Sequence, residues 1–145
     1  MSKLAWKAID NLNSNQIDDL CRMYQPEWWS KGRKLEDVQK MLQCSDVIIA
    51  LWESKSDRLI AFARILTDFT YRGFILDVIV ASAYRGQGLG RILLESINNH
   101  PQLQAVESLI LFCHPEMVDF YQKWGFSETP EDIRLMFGNT VLESR

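Results

Sequence analysis

Cysteine, glycine and long apolar runs are all scarce in this chain of 145 residues. The three cysteines, Cys21, Cys44 and Cys113, are odd in number and widely spaced, and no C-x-x-C pair occurs. That pattern argues against a disulfide framework and against a zinc site. The opening segment MSKLAWKAIDNLNSNQ lacks the roughly 7–15-residue apolar core of a signal peptide, and no run approaches the ~20 apolar residues of a membrane-spanning helix. The sequence therefore predicts a cytoplasmic protein with reduced thiols, no metal and no membrane partner.

A strong excess of one charge is also missing. Lysine and arginine number 16 against 19 aspartates and glutamates, which gives a formal net charge of -3. This balance attracts neither nucleic acid nor an anionic membrane, so an anion-binding site has to be built locally. The hydrophobic share of 47% is ordinary for a folded protein, and the length is that of one domain, residues 1–145.

Apolar residues recur with helical spacing in some segments and as short compact runs in others. Helices are predicted over residues 14–24, 35–42, 89–99 and 115–124. Strands are predicted over residues 4–9, 47–53, 58–66, 72–81, 108–113 and 133–138. Asn13 or Ser14 can cap the first helix, and Gly125 lies where a left-handed C-terminal cap belongs. The order predicts an α/β fold in which residues 74–113 form a β-α-β unit with a right-handed crossover.

Three glycines, Gly86, Gly88 and Gly90, alternate in the stretch AYRGQGLGRILLES, between an apolar strand and an amphipathic helix. The first turn of a helix has unpaired N–H groups, and glycine lets bare backbone approach a phosphate closely. A pyrophosphate is the natural ligand of such a loop, and a tight structural turn is the alternative. The dinucleotide fingerprint does not fit, because Arg91 occupies the position of its third glycine. A nucleoside-triphosphate P-loop does not fit either, because no Lys-Ser or Lys-Thr follows.

The arrangement Arg85-x-x-Gly88-x-Gly90 resembles the pyrophosphate loop of the GNAT N-acetyltransferase superfamily, written [Gln/Arg]-x-x-Gly-x-[Gly/Ala]. That superfamily also has a second strand and a helix bearing a tyrosine before Gly-Phe, which the segment LILFCHPEMVDFYQKWGF supplies. The resemblance covers roughly residues 47–126, and YRGQGLG, FYQKWGF and EWWSKGR are similar to a small bacterial and plant branch of single-domain members. It implies a mixed central sheet of about six to seven strands flanked by about four helices. It also implies transfer of an acetyl group from acetyl-CoA to an amine.

The resemblance further implies which residues bind acetyl-CoA. Backbone N–H groups of Val78, Ile79 and Val80 hold the thioester carbonyl and the pantetheine arm, because this strand splays from its neighbour in the superfamily. The residues around the pyrophosphate are Arg85, Gly86, Gln87, Gly88, Leu89, Gly90 and Arg91. For the two arginines of this loop, a solvated face is the alternative to phosphate binding. His114 lies where relatives commonly carry an asparagine that touches the cosubstrate, and a helix N-cap beside Pro115 is the alternative.

Tyr121 matches the tyrosine that the superfamily places before Gly125-Phe126, and it is predicted to protonate the departing thiolate. A phenol has a pKa of about 10, so it keeps its proton at neutral pH and has it available when the thiolate leaves. A packing role, with the hydroxyl bonded to backbone, is the alternative. Asp77 lies amid apolar residues in ILDVIV, where burial would raise its pKa and suit it to act as the general base. A structural aspartate satisfied by backbone N–H groups, or a base relayed through water, is the alternative, since relatives place their acid three positions earlier, at Phe74 here.

The loop after the first helix borders the acceptor pocket in GNAT folds. Trp28 and Trp29 are candidates to stack an aromatic or alkyl amine there, and a role as core anchors is the alternative. Glu27 is a candidate to hold the ammonium group of the acceptor. Arg33 and its neighbouring lysines are interpreted as a solvated charge run.

Three functions compete on this evidence. An amine N-acetyltransferase is the main prediction, and the alternatives are a non-catalytic module that binds or senses acyl-CoA and a nucleotide or phosphometabolite binder. The acidic balance mildly favours a cationic acceptor. The sequence leaves open the identity of that acceptor and the oligomeric state, a homodimer included.

Overall fold

The computed structural model describes residues 4–138. These residues fall into two compact units, the first ending at Phe112 and the second beginning at Cys113. The first unit is a sheet with three longer helices, and the second has a short helical segment followed by irregular chain.

The sheet of the first unit has its strands in chain order, and neighbours are antiparallel except for the last pair. The strands are β1 (Trp6–Ile9), β2 (Val47–Glu53), β3 (Arg58–Thr67), β4 (Arg72–Val80) and β5 (Ser108–Ile110). The helices are α1 (Ser14–Tyr24), α2 (Leu35–Cys44) and α3 (Leu89–Asn98), with 3-10 helices at Ser82–Tyr84 and Pro101–Leu103. β4 and β5 are parallel and joined through α3, which confirms the predicted β-α-β connection.

The mixed sheet and its helices confirm the predicted fold class, with fewer strands than expected. Five strands pair within residues 4–138, against the prediction of about six to seven. The segment 133–138, predicted as a final strand, is not a strand, and Met136 within it is 85% exposed. An alternating apolar segment becomes a strand only where a neighbouring strand supplies hydrogen bonds. Here the backbone N–H of Ile133 donates instead to the carbonyl of Pro130.

The start of α1 forms where the sequence predicts it, with Asn13 as the N-cap. Asn13 Oδ1 accepts a hydrogen bond from the Gln16 backbone N–H at 2.9 Å, and Gln16 Oε1 accepts one from the Asn13 backbone N–H at 2.8 Å. This reciprocal capping box satisfies N–H groups that the helix cannot pair internally. It fixes the beginning of a helix whose last residue, Tyr24, lies in the functional site described below.

Replacing Asn13 by alanine is expected to lower the melting temperature by roughly 3 °C, because loss of such a cap costs ~1 kcal/mol. N15A is the matched control, since Asn15 is exposed in the first turn of the same helix and caps nothing. That control should melt within about 1 °C of the wild type or slightly above it, because alanine favours helix. Differential scanning calorimetry in which both variants melt together would contradict the cap assignment.

The core beneath α1 and α2 positions the loop that joins them. One cluster of buried side chains connects both helices to the sheet, and its members are Leu20, Met23, Tyr24, Val38, Ala50, Leu59, Phe62 and Ile79. Because this burial removes apolar surface from water, it anchors the helices on β2, β3 and β4. α3 also contacts these three strands and buries Leu93, Leu94 and Ile97.

Candidate functional site

The glycine loop turns sharply between β4 and α3. Gly86 has a φ of 78° and Gly88 a φ of 81°, in the left-handed region that glycine adopts without a steric penalty. Gly88 directly precedes α3, so the helix begins at Leu89, and Gly90 lies in its first turn. Gln87 is exposed, whereas Leu89 is 2% exposed and its side chain belongs to the core. The turn therefore presents bare main chain at the positive end of a helix.

β4 and β5 separate after three paired positions. Residues 72–74 pair with Ser108–Ile110, and β4 then continues to Val80. From Ile75 to Val80, the edge of β4 that faces away from β3 has no strand partner among residues 4–138. Backbone N–H and carbonyl groups along such an edge require other partners, and an extended ligand with amide groups can supply them. The separation agrees with the splayed strand that the family resemblance implies.

A bulge interrupts β4 at Asp77. Arg64 of β3 lies opposite Leu76, and Phe62 lies opposite Ile79, so two residues of β4 face one residue of β3. Asp77 has a φ of 57°, a left-handed conformation that aspartate adopts more readily than bulkier residues. Because a bulge re-aims side chains, simple alternation along the strand does not decide where Asp77 points.

The carboxylate of Asp77 is 5% exposed, and its Oδ2 atom accepts three hydrogen bonds. The donors are the Tyr24 hydroxyl at 3.0 Å, Arg33 Nη1 at 2.8 Å and Arg64 Nε at 2.8 Å. Burial acts to raise the pKa of Asp77, but the hydrogen bonds and charges of Arg33 and Arg64 outweigh it and leave the pKa below its ordinary value. The raised pKa expected from the sequence is therefore wrong, and the partners of Asp77 are side chains instead of backbone N–H groups.

The lowered pKa of Asp77 has a consequence for stability. Because the folded-state pKa lies below the unfolded value of 3.8, the ionised carboxylate stabilises the fold above that pH. This contribution is lost as the pH falls through the folded-state pKa. Burial and the adjacent Asp77 charge raise the pKa of Tyr24, so its hydroxyl stays neutral and continues to donate.

Arg85 links the glycine loop to the loop that follows α1. Its Nη2 atom lies 2.6 Å from Glu27 Oε1, and its Nε donates to the Val80 carbonyl at 3.1 Å. Glu27, the candidate partner of an ammonium group, is thus joined to an arginine that was itself a candidate phosphate ligand. Arg91 is exposed on α3, with Nε 4.0 Å from Glu95 Oε1.

The two tryptophans of the loop after α1 differ in their surroundings. Trp28 is 57% exposed. Trp29 packs against the core cluster, and its ring centroid lies 5.9 Å from that of Tyr24 in an edge-on arrangement. Arg33 Cζ lies 5.4 Å from the Trp29 ring and 4.6 Å from the Tyr24 ring, both within cation–π range. Trp29 therefore fits the alternative of a core anchor, whereas Trp28 has the exposure that stacking on an acceptor requires.

The second unit contains the candidate acid. A 3-10 helix at Pro115–Met117 leads into α4 (Val118–Gln122), in place of the continuous helix predicted over residues 115–124. Tyr121 of α4 is buried, and its ring centroid lies 5.1 Å from that of Phe120 and 6.2 Å from that of Phe126. Burial raises the pKa of Tyr121 to about 12, with a smaller contribution from Cys113, so the phenol keeps its proton at neutral pH.

Two further residues of the second unit were singled out from the sequence. Gly125 has a φ of 92°, which confirms the left-handed turn predicted after the helix. His114 directly precedes the 3-10 helix that begins at Pro115, but its side chain makes no capping hydrogen bond there. Its Nδ1 atom lies 3.6 Å from Glu116 Oε1, and the side chain is about half exposed.

Tyr24 and Arg64 were not among the predicted site residues, and Arg33 was predicted to lie in a solvated charge run. Arg33 is 30% exposed and Arg64 is 13% exposed, and both pair with Asp77. A charged residue within an apolar strand was the available signal for Arg64, because a buried charge requires a partner. The spacing of Tyr24 is that of any core residue on a helix, so nothing in the pattern marked it.

The sequence profile of the Acetyltransferase (GNAT) family matches residues 15–126 of this chain. The chain belongs to the GNAT family. This GNAT protein is 30% identical over 129 residues to an uncharacterized N-acetyltransferase, ycf52, of Pyropia yezoensis. The aligned region covers 88% of this chain and 72% of that protein. It is 36% identical over 85 residues to GCN5-related N-acetyltransferase 2, chloroplastic, of Arabidopsis thaliana, across 59% of this chain and 33% of that protein.

Solved GNAT structures share the fold. An acetyltransferase of the GNAT family from Streptococcus pneumoniae TIGR4 matches with a TM-score of 0.75 at 21% identity, over 96% of this chain and 99% of that chain. Glucosamine-6-phosphate N-acetyltransferase from Arabidopsis thaliana matches with a TM-score of 0.69 at 21% identity, over 92% and 99% of the two chains. The family assignment makes this protein an acetyltransferase of the GNAT family, and the ycf52 relative is named an N-acetyltransferase.

Cys21, Cys44 and Cys113 are free thiols, and Cys44 and Cys113 are exposed. Across residues 4–138, no group of three or more His, Cys, Asp or Glu side chains is arranged to hold a metal ion. In the same range, every helix is too short or too polar to cross a membrane.

Proposed function

We propose that this protein transfers an acetyl group from acetyl-CoA to a primary amine by direct attack of the amine on the thioester. The observation that carries the proposal is the left-handed turn at Gly86 and Gly88, which opens α3 after a strand that has left its neighbour. A diphosphate fits the bare N–H groups of that turn. An extended arm with amide groups fits the open edge of β4. Acetyl-CoA carries both chemical groups in one molecule.

Main-chain groups do most of the binding in this proposal. The N–H groups between Arg85 and Arg91 hold the pyrophosphate, and the Arg85 guanidinium adds a charge-assisted contact. The backbone of Val78, Ile79 and Val80 holds the pantetheine arm and stabilises the oxyanion that forms when the amine attacks. Ile79 is 4% exposed and belongs to the buried core cluster, so the proposal gives its side chain no part in binding.

Tyr121 supplies the proton that the thiolate of CoA takes up as it leaves. Its pKa of about 12 keeps it protonated throughout the neutral range, so the acid form is always present. Asp77 does not remove the proton from the amine, because its pKa is lowered and its Oδ2 atom already accepts three donors. Proton removal is assigned to a base relayed through water.

The acceptor side of the proposal uses the loop after α1. Trp28 stacks on the acceptor, and Glu27 attracts its ammonium group before deprotonation. His114, which is about half exposed, donates a hydrogen bond to the cosubstrate.

The proposal is tested by thiol release from acetyl-CoA with a panel of amines. The panel contains a polyamine, an arylalkylamine, an amino acid, an aminoglycoside, a peptide N-terminus and glucosamine 6-phosphate, the last because one structural neighbour is named for it. At least one amine is expected to raise the rate about tenfold or more above the amine-free rate. Saturable acetyl-CoA binding without turnover of any amine would favour the acyl-CoA-binding module instead.

Thermal shift distinguishes the cosubstrate from other diphosphates. Acetyl-CoA at about 100 times its Kd is expected to stabilise the protein by ~2.7 kcal/mol, which raises the melting temperature by roughly 8 °C. ATP and NAD at the same concentration are expected to raise it less. A larger shift with ATP or NAD would contradict the proposed cosubstrate.

A further inference from the structure

Four side chains from separate parts of the chain converge at the bulge of β4. Tyr24 ends α1, Arg33 lies in the loop before α2, Arg64 lies in β3, and Asp77 lies in the bulge. All three donors reach the same oxygen, Asp77 Oδ2, at 2.8–3.0 Å. We call these four residues the Asp77 cluster.

Forming the Asp77 cluster costs free energy, which indicates that the cluster has a specific role. The side chain of Asp77 is 5% exposed, so its charge is shielded from water, and its backbone is held at a φ of 57°. Buried charge pairs contribute little net stability compared with apolar packing of the same volume. A non-glycine residue keeps a left-handed backbone only where its surroundings fix it, and such residues concentrate at functional sites.

The Asp77 cluster connects the two halves of the proposed reaction. Its Asp77 end is the bulge that precedes Val78, where the backbone is proposed to hold the thioester. Its Arg33 end lies over the rings of Tyr24 and Trp29, in the loop proposed to receive the acceptor. A displacement of about 1 Å between reacting groups can lower a rate about 100-fold, so a rigid connection between these two parts matters for catalysis.

We infer that Asp77, Arg33, Arg64 and Tyr24 form a positioning cluster that fixes the thioester-binding bulge of β4 and couples it to the acceptor loop. This inference rests on the proposed acetyl transfer. Asp77 is thus a positioning residue that acts through the backbone of β4, and it neither gives nor takes a proton. Arg33 is the member that transmits the position of the bulge to the acceptor loop.

D77N tests the bulge end of the cluster. Asparagine also adopts the left-handed conformation, so the substitution removes the charge and little else. kcat is expected to fall about tenfold, whereas the Kd for acetyl-CoA stays within about threefold, because the glycine loop is untouched. The plot of kcat/KM against pH should move down without changing shape. Arg33 and Arg64 hold the pKa of Asp77 below its ordinary value, so Asp77 stays ionised across the neutral range, and the raised pKa values of Tyr24 and Arg33 keep both of those partners protonated. A general base would behave differently, because its loss removes the acidic limb of that plot.

R33Q tests the acceptor end of the cluster. The KM for the amine is expected to rise about tenfold while kcat changes less than about threefold, because the bulge keeps Arg64 and Tyr24 as partners. R33K keeps the charge but loses the planar guanidinium that lies over the Tyr24 and Trp29 rings, so it is expected to recover the KM only in part. E107Q and R72Q are the matched controls, since Arg72 Nη1 and Glu107 Oε1 form an exposed pair, 3.3 Å apart, at the start of β4. Both controls should match the wild type in every constant.

Several results would overturn the inference. These are a D77N variant with kcat within twofold of wild type, a D77N variant that loses the acidic limb, and an R33Q variant with an unchanged KM for the amine. If D77N does not melt cooperatively, R33Q decides alone, because its side chain is partly exposed and the variant keeps the Asp77–Arg64 pair.

A readout without turnover separates this inference from the proposed function. If wild-type protein acetylates no amine, the proposed function fails, and hydrogen exchange then decides the role of the cluster. R33Q is expected to speed exchange of the backbone amides of residues 76–80 about tenfold, with no change in R72Q. Equal exchange in both variants would overturn the positioning role, whatever the reaction is.

Discussion

Replacing Tyr121 by phenylalanine is expected to lower kcat about 100-fold while the Kd for acetyl-CoA stays within about threefold of wild type. General acid catalysis by a positioned side chain typically contributes this much, and Y121F removes one oxygen atom without changing the packing of the ring. The thiolate then has to take its proton from water. Stopped-flow thiol release at saturating amine measures kcat, and calorimetry measures the Kd.

The raised pKa of Tyr121 also predicts how kcat depends on pH. Because burial raises that pKa to about 12, deprotonation of Tyr121 cannot produce an alkaline limb in kcat below about pH 10. Y121F should therefore lower kcat by the same factor across the neutral range. The matched control is Y71F, since Tyr71 is 61% exposed and lies outside the proposed chemistry. Equal kcat values for Y121F and Y71F would remove the acid role and leave Tyr121 as a packing residue.

Replacing Gly88 by valine is expected to weaken acetyl-CoA binding about 30-fold. A β-branched residue is a genuine outlier at a φ of 81°, and the left-handed conformation costs it ~1–2 kcal/mol. The loop is expected to relieve this strain by rotating, which turns the N–H groups of the first turn of α3 away from the pyrophosphate. Calorimetric titration with acetyl-CoA measures the loss.

A glycine elsewhere provides the control for strain alone. Gly32 lies in the loop between α1 and α2, with a φ of 90°, and a Cβ there would meet no heavy atom within 4 Å. G32V therefore introduces similar backbone strain outside the glycine loop. The melting temperature should fall by a similar amount in both variants, roughly 3–6 °C, but only G88V should lose affinity for acetyl-CoA. Similar affinities in the two variants would show that the turn at Gly88 does not hold the pyrophosphate.

The elements that depend on local pattern could be predicted from the sequence. The span 14–24 of α1 and the span 47–53 of β2 agree with the structure, because capping and apolar periodicity act within a few residues. The glycine loop was also predictable, since its left-handed backbone conformation is one that glycine adopts without a steric penalty. The separation of β4 from β5 followed from the family resemblance and not from any periodicity.

The surroundings of Asp77 could not be predicted, because they depend on residues far away in the chain. A bulge at Asp77 depends on the register between β3 and β4, and register is a property of the pair of strands. The carboxylate looked suited to accept a proton because burial was visible in the sequence and its partners were not. Arg33 and Arg64 reverse the direction of the pKa shift, and they lie 44 and 13 residues from Asp77.

The left-handed backbone at Asp77 also limits any attempt to redesign this fold. Position 77 must satisfy two unrelated demands at once, one steric and one electrostatic. A φ of 57° favours glycine, asparagine and aspartate, and two adjacent guanidinium groups call for an anion. Aspartate alone meets both demands, so a library that randomises this codon should return a single amino acid among its fully active members.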